Sequence, residues 1–172
     1  MVVAIAAGVV ACAKPRPKKP PAVAVVAPPK LKLAVLAVES DKFPKLAEAA
    51  TASLAKAHVT GIDDIEVSKV SLEVVQLSIE CVEQTPDCYE AVGKSLAANR
   101  LLFAQVAPGT PPPAKPIRLK RGAKPPPKDV RVTVTLFDVD TRAASKTAEK
   151  LFPNETDATA GMEGLIAEAT SR

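Results

Sequence analysis

The chain has no Trp, one Tyr, four Phe and one His among its 172 residues, and only seven Gly. So few aromatic residues exclude a large aromatic ligand pocket. A single His argues against His-based metal sites, and scarce Gly against the glycine-rich loops that cradle phosphates. No G-x-S-x-G, H-E-x-x-H or P-loop pattern occurs. An uninterrupted apolar stretch of the roughly 20 residues that a membrane-spanning helix needs is also missing. What the chain does have is proline, 17 residues, about twice the usual share, and an apolar fraction drawn largely from Ala and Val. Its length is that of one ordinary domain with tails.

Proline and charge are concentrated in two places. Residues 1–30 carry five cations (Lys14, Arg16, Lys18, Lys19, Lys30) and no acid. Residues 108–128 carry six (Lys115, Arg118, Lys120, Arg121, Lys124, Lys128) and again no acid. Together they hold 14 of the 17 prolines, and the rest of the chain has a net charge of −7. The overall +4 is therefore a property of two segments. Runs such as Pro111-Pro112-Pro113 form neither helix nor central strand, because Pro lacks the amide donor and fixes φ. Both segments read as extended, solvated, polyproline-like arms.

Val2–Ala11 is an apolar run of ten, short for a span and right for the apolar region of an export signal. The cation that usually precedes such a run is missing. The run ends in Val9-Val10-Ala11-Cys12, which resembles the bacterial lipobox, whose Cys is lipidated before cleavage. The alternative is a buried N-terminal strand or helix. The lipobox reading divides the chain into a signal (1–11), a lipidated Cys12 with a Pro/Lys tether (12–30), and a body (31–172) with the basic insertion. Several acyl chains on one residue make a stable anchor. Ala13, rather than Asp, follows the Cys, which in the enteric sorting pattern implies the outer membrane.

With Cys12 assigned to lipid, Cys81 and Cys88 remain, and an even pair in an exported chain is expected to be oxidised. Two free buried thiols are the alternative. A metal site would need more ligands than this spacing and one His supply.

The body alternates strand and helix. Lys32–Glu39, Ile65–Val70, Leu101–Val106 and Val130–Val139 read as strands, the last by alternation of Val130, Val132, Val134 and Leu136 with polar residues. Ala143–Phe152 reads as an edge strand in preference to a helix. A first helix starts after Asp41, with Pro44 in its first turn, and ends by Gly61. Ser71 caps a second, and Thr85-Pro86 opens a third that Asn99 closes. A fourth begins near Thr156. Gly93 in mid-helix implies close packing. The order β-α-β-α-α-β-β-β-α implies an α/β (α+β) fold with one mixed sheet of about five strands, the last three antiparallel, and helices packed on it.

The segments KLAVLAVES, GKSLAANRLLFAQV and VRVTVTLFDVDT resemble the N-terminal α/β domain of TolB and related CsgG-like envelope lipoproteins of the deltaproteobacterial kind. The shared helix-into-strand pattern is matched by Gly93, Leu96, Ala98, Asn99, Leu101 and Leu102. The resemblance covers residues 31–172 and implies a periplasmic binding or assembly module without a reaction of its own.

Other groups could carry chemistry. Asp138 and Asp140, two apart at a strand end, are a carboxylate pair or, more commonly, turn formers. Asp63-Asp64 reads as loop, and His58 as a residue near a helix C-terminus. No catalytic residue, metal ligand or cofactor is assigned. The basic insertion is either a solvated loop or a contact for anionic lipid, lipopolysaccharide or an acidic partner. Nucleic acid is disfavoured, since neither arm has an aromatic residue for stacking. The expected role is a non-enzymatic, outer-membrane-anchored periplasmic lipoprotein that binds an envelope protein. A structural tether to anionic envelope polymers is the second expectation.

Overall fold

The computed structural model describes residues 30–81, 83–109 and 129–171. Cys12, the tether up to residue 29 and the six cations from Lys115 to Lys128 lie outside the described residues.

Nine elements follow the expected order: β1 (Lys32–Ala37), α1 (Pro44–Leu54), β2 (Asp64–Ser71), α2 (Leu72–Ser78), α3 (Pro86–Ser95), β3 (Arg100–Pro108), β4 (Val130–Asp138), β5 (Ala143–Phe152) and α4 (Glu155–Thr170). The fold is α/β, with one five-stranded mixed sheet in the order β2-β1-β3-β4-β5. β1 pairs in parallel with β2 and β3, and β3, β4 and β5 are antiparallel. Parallel neighbours require crossovers, and α1 and the α2–α3 pair supply them.

The period-two alternation of the strands divides the core into two layers. On one face Leu33, Val35, Leu102, Val132 and Val134 pack against Leu46, Ala50 and Leu54 of α1 and Met162, Leu165 and Ile166 of α4. On the other, Ala34, Leu36, Leu101, Phe103, Phe137 and Val139 meet Leu72 and Val75 of α2 and Val92 of α3. Among the described residues, no helix covers the sheet beyond Phe137 on this second face. Polar pairs hold it instead, with Thr133 Oγ1 3.3 Å from Glu149 and the Thr135 and Thr147 hydroxyls 3.4 Å apart.

Gly93 sits where the expected close packing occurs: a Cβ there would run into the Val139 side chain. Ser71 accepts from Val74 N at 3.4 Å and Thr85 from Cys88 N at 3.3 Å, so both expected caps form. Three helix boundaries differ. Asp41 does not cap α1; Ser40 Oγ accepts from Phe43 N, and Glu155 of α4 accepts the amide of Leu46 at 3.1 Å. α1 stops at Leu54, and Gly61 lies in the following loop at φ 82°.

α3 ends at Ser95 rather than Asn99, through a Schellman motif: Ala98 N bonds Gly93 O at 2.9 Å and Ala97 N bonds Lys94 O at 3.1 Å. α2 ends the same way, with Cys81 N on Gln76 O at 2.8 Å and Glu80 N on Leu77 O at 3.2 Å. The left-handed positions are Ala97 (φ 50°) and Glu80 (φ 57°), where Gly is usual. Asn99 has a different task. It exchanges backbone bonds with Lys32 and Val139, and its Oδ1 accepts from Lys32 N, so one residue ties β1, β3 and the end of β4 together.

The two arms join the body at opposite ends. The chain enters β1 beside the start of β3, Leu33 pairing with Arg100. β3 continues through Pro108, where Gly109 N bonds Asp129 O at 2.7 Å. The insertion thus leaves from one point, about 26 Å along β3 from the entry.

Candidate interaction surface

The charge of the body is unevenly placed. Asp63 to Glu90 holds eight acids and one base, Lys69. The remainder of residues 31–107 and 129–172 holds eleven of each sign. The whole −7 therefore belongs to β2, α2, α3 and the turns around them, which the fold brings to one side of the molecule. Some of these acids are paired: Glu66 with Lys32, and Glu90 with Lys94 (2.7 Å) and Arg142 (3.0 Å). Glu73, Glu80 and Glu83 are exposed and have no cationic partner among the described residues.

Apolar side chains surface in the same region. Leu72, Val75 and Gln76 turn inward from α2, which leaves Val74 and Leu77 outward, the latter 65% exposed. Ile65, Val67 and Val70 of β2 are each at least 40% exposed. Ile65 and Val67 pair with Leu33 and Val35 and so lie on the sheet face opposite α2, and Leu151 lies on β5.

A disulfide joins Cys81 and Cys88 across the turn from α2 to α3, with Cα atoms 5.7 Å apart. Cys88 is buried, and the Gln76 amide donates to its sulfur at 3.3 Å. The bond, the Schellman turn and the Thr85 cap together fix α2 against α3, so the acids and apolar residues on them are held in one arrangement. Beneath, Tyr89 packs against Phe103 and Phe137 with ring centroids 5.2 and 5.3 Å away. Burial, with a smaller contribution from the charge of Glu73, pushes its phenol above the usual value near 10. The Lys94 hydrogen bond, and secondarily the charge of Arg142, hold the Glu90 carboxyl below the ordinary glutamate value.

The other sequence candidates have structural tasks. Asp138 is buried and pairs with Arg100 at 2.7 Å, while its Oδ1 accepts the amides of Asp140 (2.9 Å) and Thr141 (3.0 Å). This is an Asx turn, stapled to β3. Asp140 is exposed and 3.8 Å from the same guanidinium, so the two carboxylates share a cation and do not form an acid–base pair. Arg142 takes the left-handed position after this turn, at φ 55°. Asp63 accepts from Leu31 N at 2.9 Å and anchors the start of β1. His58 is exposed, past the end of α1. No group of three or more metal-ligating side chains occurs among the described residues.

Sequence reading found the body's net −7 and, of these acids, singled out Asp63 and Asp64, but not the surface they make. The signal was the run of acids from Asp63 to Glu90, broken by one lysine. Its meaning depends on a fold that stacks three consecutive elements on one side.

No protein-family model matches the chain, and no curated protein sequence matches it. Solved structures do. The dodecameric PelC of Paraburkholderia phytofirmans, in two crystals, is 16% identical; the matches cover 83% of this chain and 90% and 89% of PelC, with TM-scores of 0.40 and 0.39.

Proposed function

We propose that this chain is a lipid-anchored, non-enzymatic envelope module that binds a protein partner. Cys12 would hold it at the outer membrane, facing the periplasm. The observation that carries the reading is the outer side of α2 and α3, where Val74 and Leu77 stand among Glu73, Glu80 and Glu83 and a disulfide keeps the two helices in place. Apolar anchors within a charged rim fit protein association, and surplus acid selects a partner with Lys or Arg around its own apolar contact. A disulfide is what an oxidising compartment permits, in keeping with export through the Val2–Ala11 segment.

Photocrosslinking from position 77 in intact envelopes tests this. A discrete adduct, lost in a Val74→Lys variant that still melts like the parent, is the expected result. No adduct from position 77, or one indifferent to Val74→Lys, would refute the surface.

The placement of the arms favours a second reading, a tether to anionic envelope polymers. The Pro/Lys arm enters at one end of the sheet and the basic insertion leaves at the other. A protein anchored by the first would present the second away from its anchor. Deleting residues 110–128 should then abolish sedimentation with envelope polymers, and unchanged sedimentation would exclude it.

A further inference from the structure

The two edges of the sheet are built differently. β5 carries Lys146, Glu149 and Lys150, and β2 carries Asp64, Glu66 and Lys69, so both have the charged residues that guard an edge. Among the described residues β2 is paired on one side only, with β1, and what sets it apart is that it exposes three β-branched apolar residues, Ile65, Val67 and Val70. Its register places Ile65 opposite Leu33 and Val67 opposite Val35, so these two continue the row that packs under α1 and α4. α1 lies over β1 and β3, and among the described residues the end of that row stays exposed. Such an edge is a template for one more strand.

The chain holds a segment suited to it. Residues 22–27, Ala-Val-Ala-Val-Val-Ala, are strand-forming in composition and bounded by Pro20-Pro21 and Pro28-Pro29. Three residues, 28–30, separate the segment from Leu31, and Leu31 is stitched to the start of β2: its amide donates to Asp63, and its carbonyl accepts from Asp63 N at 2.9 Å and Asp64 N at 3.2 Å. A strand added outside β2 would lie two strand spacings from β1, about 9.6 Å, and three extended residues span about 10 Å. The direct path makes the added strand antiparallel to β2. Upstream of it come Lys18 and Lys19, which this direction brings to the far end of β2, where Glu73 opens α2.

We propose that residues 22–27 of this chain add to the free edge of β2 as an antiparallel sixth strand. The sheet is then closed on its apolar side, and the tether runs to the body from a fixed point beside α2. Val74 and Leu77 stay outside this contact, so the inference depends neither on the partner proposed for them nor on lipid at Cys12.

Hydrogen–deuterium exchange of the full chain tests it, read on the peptide covering 64–71. Half the amides of an edge strand point outward, and a sixth strand would slow them. Val25→Pro, which removes a donor and leaves all charges in place, should speed exchange in 64–71 by at least about tenfold, with β3 unchanged. Deleting residues 22–27 should do the same. Both changes lie outside the described body, so its core is untouched. Equal exchange in parent and variants would overturn the proposal. So would protection that survives Val25→Pro and rises with protein concentration, because a second copy would then cover the edge.

Discussion

Reducing the Cys81–Cys88 bond should weaken the body through the unfolded chain more than through the folded one. The bond closes a loop with a sequence separation of 7. In the chain-entropy treatment a loop of about eight residues contributes about 2.5 kcal/mol at 25 °C. Little in the native state opposes that figure. Cys88 is 2% exposed and its sulfur keeps the Gln76 amide at 3.3 Å, so the thiol would remain a satisfied small core residue. Unfolding entropy near 2.1 cal/mol/K per residue over about 120 ordered residues turns 2.5 kcal/mol into a fall in Tm of about 10 °C. Urea unfolding of the intact chain, oxidised and then with a phosphine reductant, measures the difference directly. A midpoint shift at constant m-value worth about 2–3 kcal/mol is expected. A difference under about 0.5 kcal/mol would refute the reasoning and mean that the Schellman turn and the Thr85 cap hold the corner unaided.

Three further outcomes follow from the same geometry. Gly93→Ala should destabilise despite the better helix former, because overpacking costs about 1–3 kcal/mol against a propensity gain near 1; the added Cβ meets Val139, and a more stable variant would contradict that contact. Ala97→Gly, at the left-handed position ending α3, should stabilise by several tenths to about 1 kcal/mol in thermal melts, and a loss would count against the turn. Tyr89 is the one Tyr in a chain without Trp, so absorbance near 295 nm titrates it alone; its midpoint should lie above 10. A phenol whose folded value is raised contributes stability that is whole below the unfolded value and is lost as pH climbs through the folded one. The contribution of Tyr89 to stability should therefore be lost at strongly alkaline pH, and a midpoint at or below 10 would contradict the burial.

Strands were more legible than the helix ends. Val130, Val132 and Val134 alternate with polar residues because one face of β4 is solvated, and that period survives in any tertiary setting. Local chemistry also sufficed for Ser71 and Thr85, whose hydroxyls reach their own helices. It failed where a partner is distant in sequence. The α1 amide of Leu46 is met by Glu155, 109 residues away, so Asp41 was a reasonable but mistaken cap. It failed again at the ends of α2 and α3, because Glu80 and Ala97 occupy left-handed positions that Gly normally announces. Asn99 then looked like a helix stop when it is a junction of three strands. For the surface, Cys81 and Cys88 stood out by number and spacing. Val74 and Leu77 did not, since a seven-residue helix gives too little periodicity to separate an inner from an outer apolar row.

The proposed function requires an exported, acylated chain with an oxidised body. Intact mass of the protein from a Gram-negative envelope, taken before and after reduction and alkylation, tests it most directly. The account requires a chain that begins at Cys12, is heavier by its acyl groups, and takes label at Cys81 and Cys88 only after reduction. An unprocessed chain with three thiols open to alkylation from the start would contradict it.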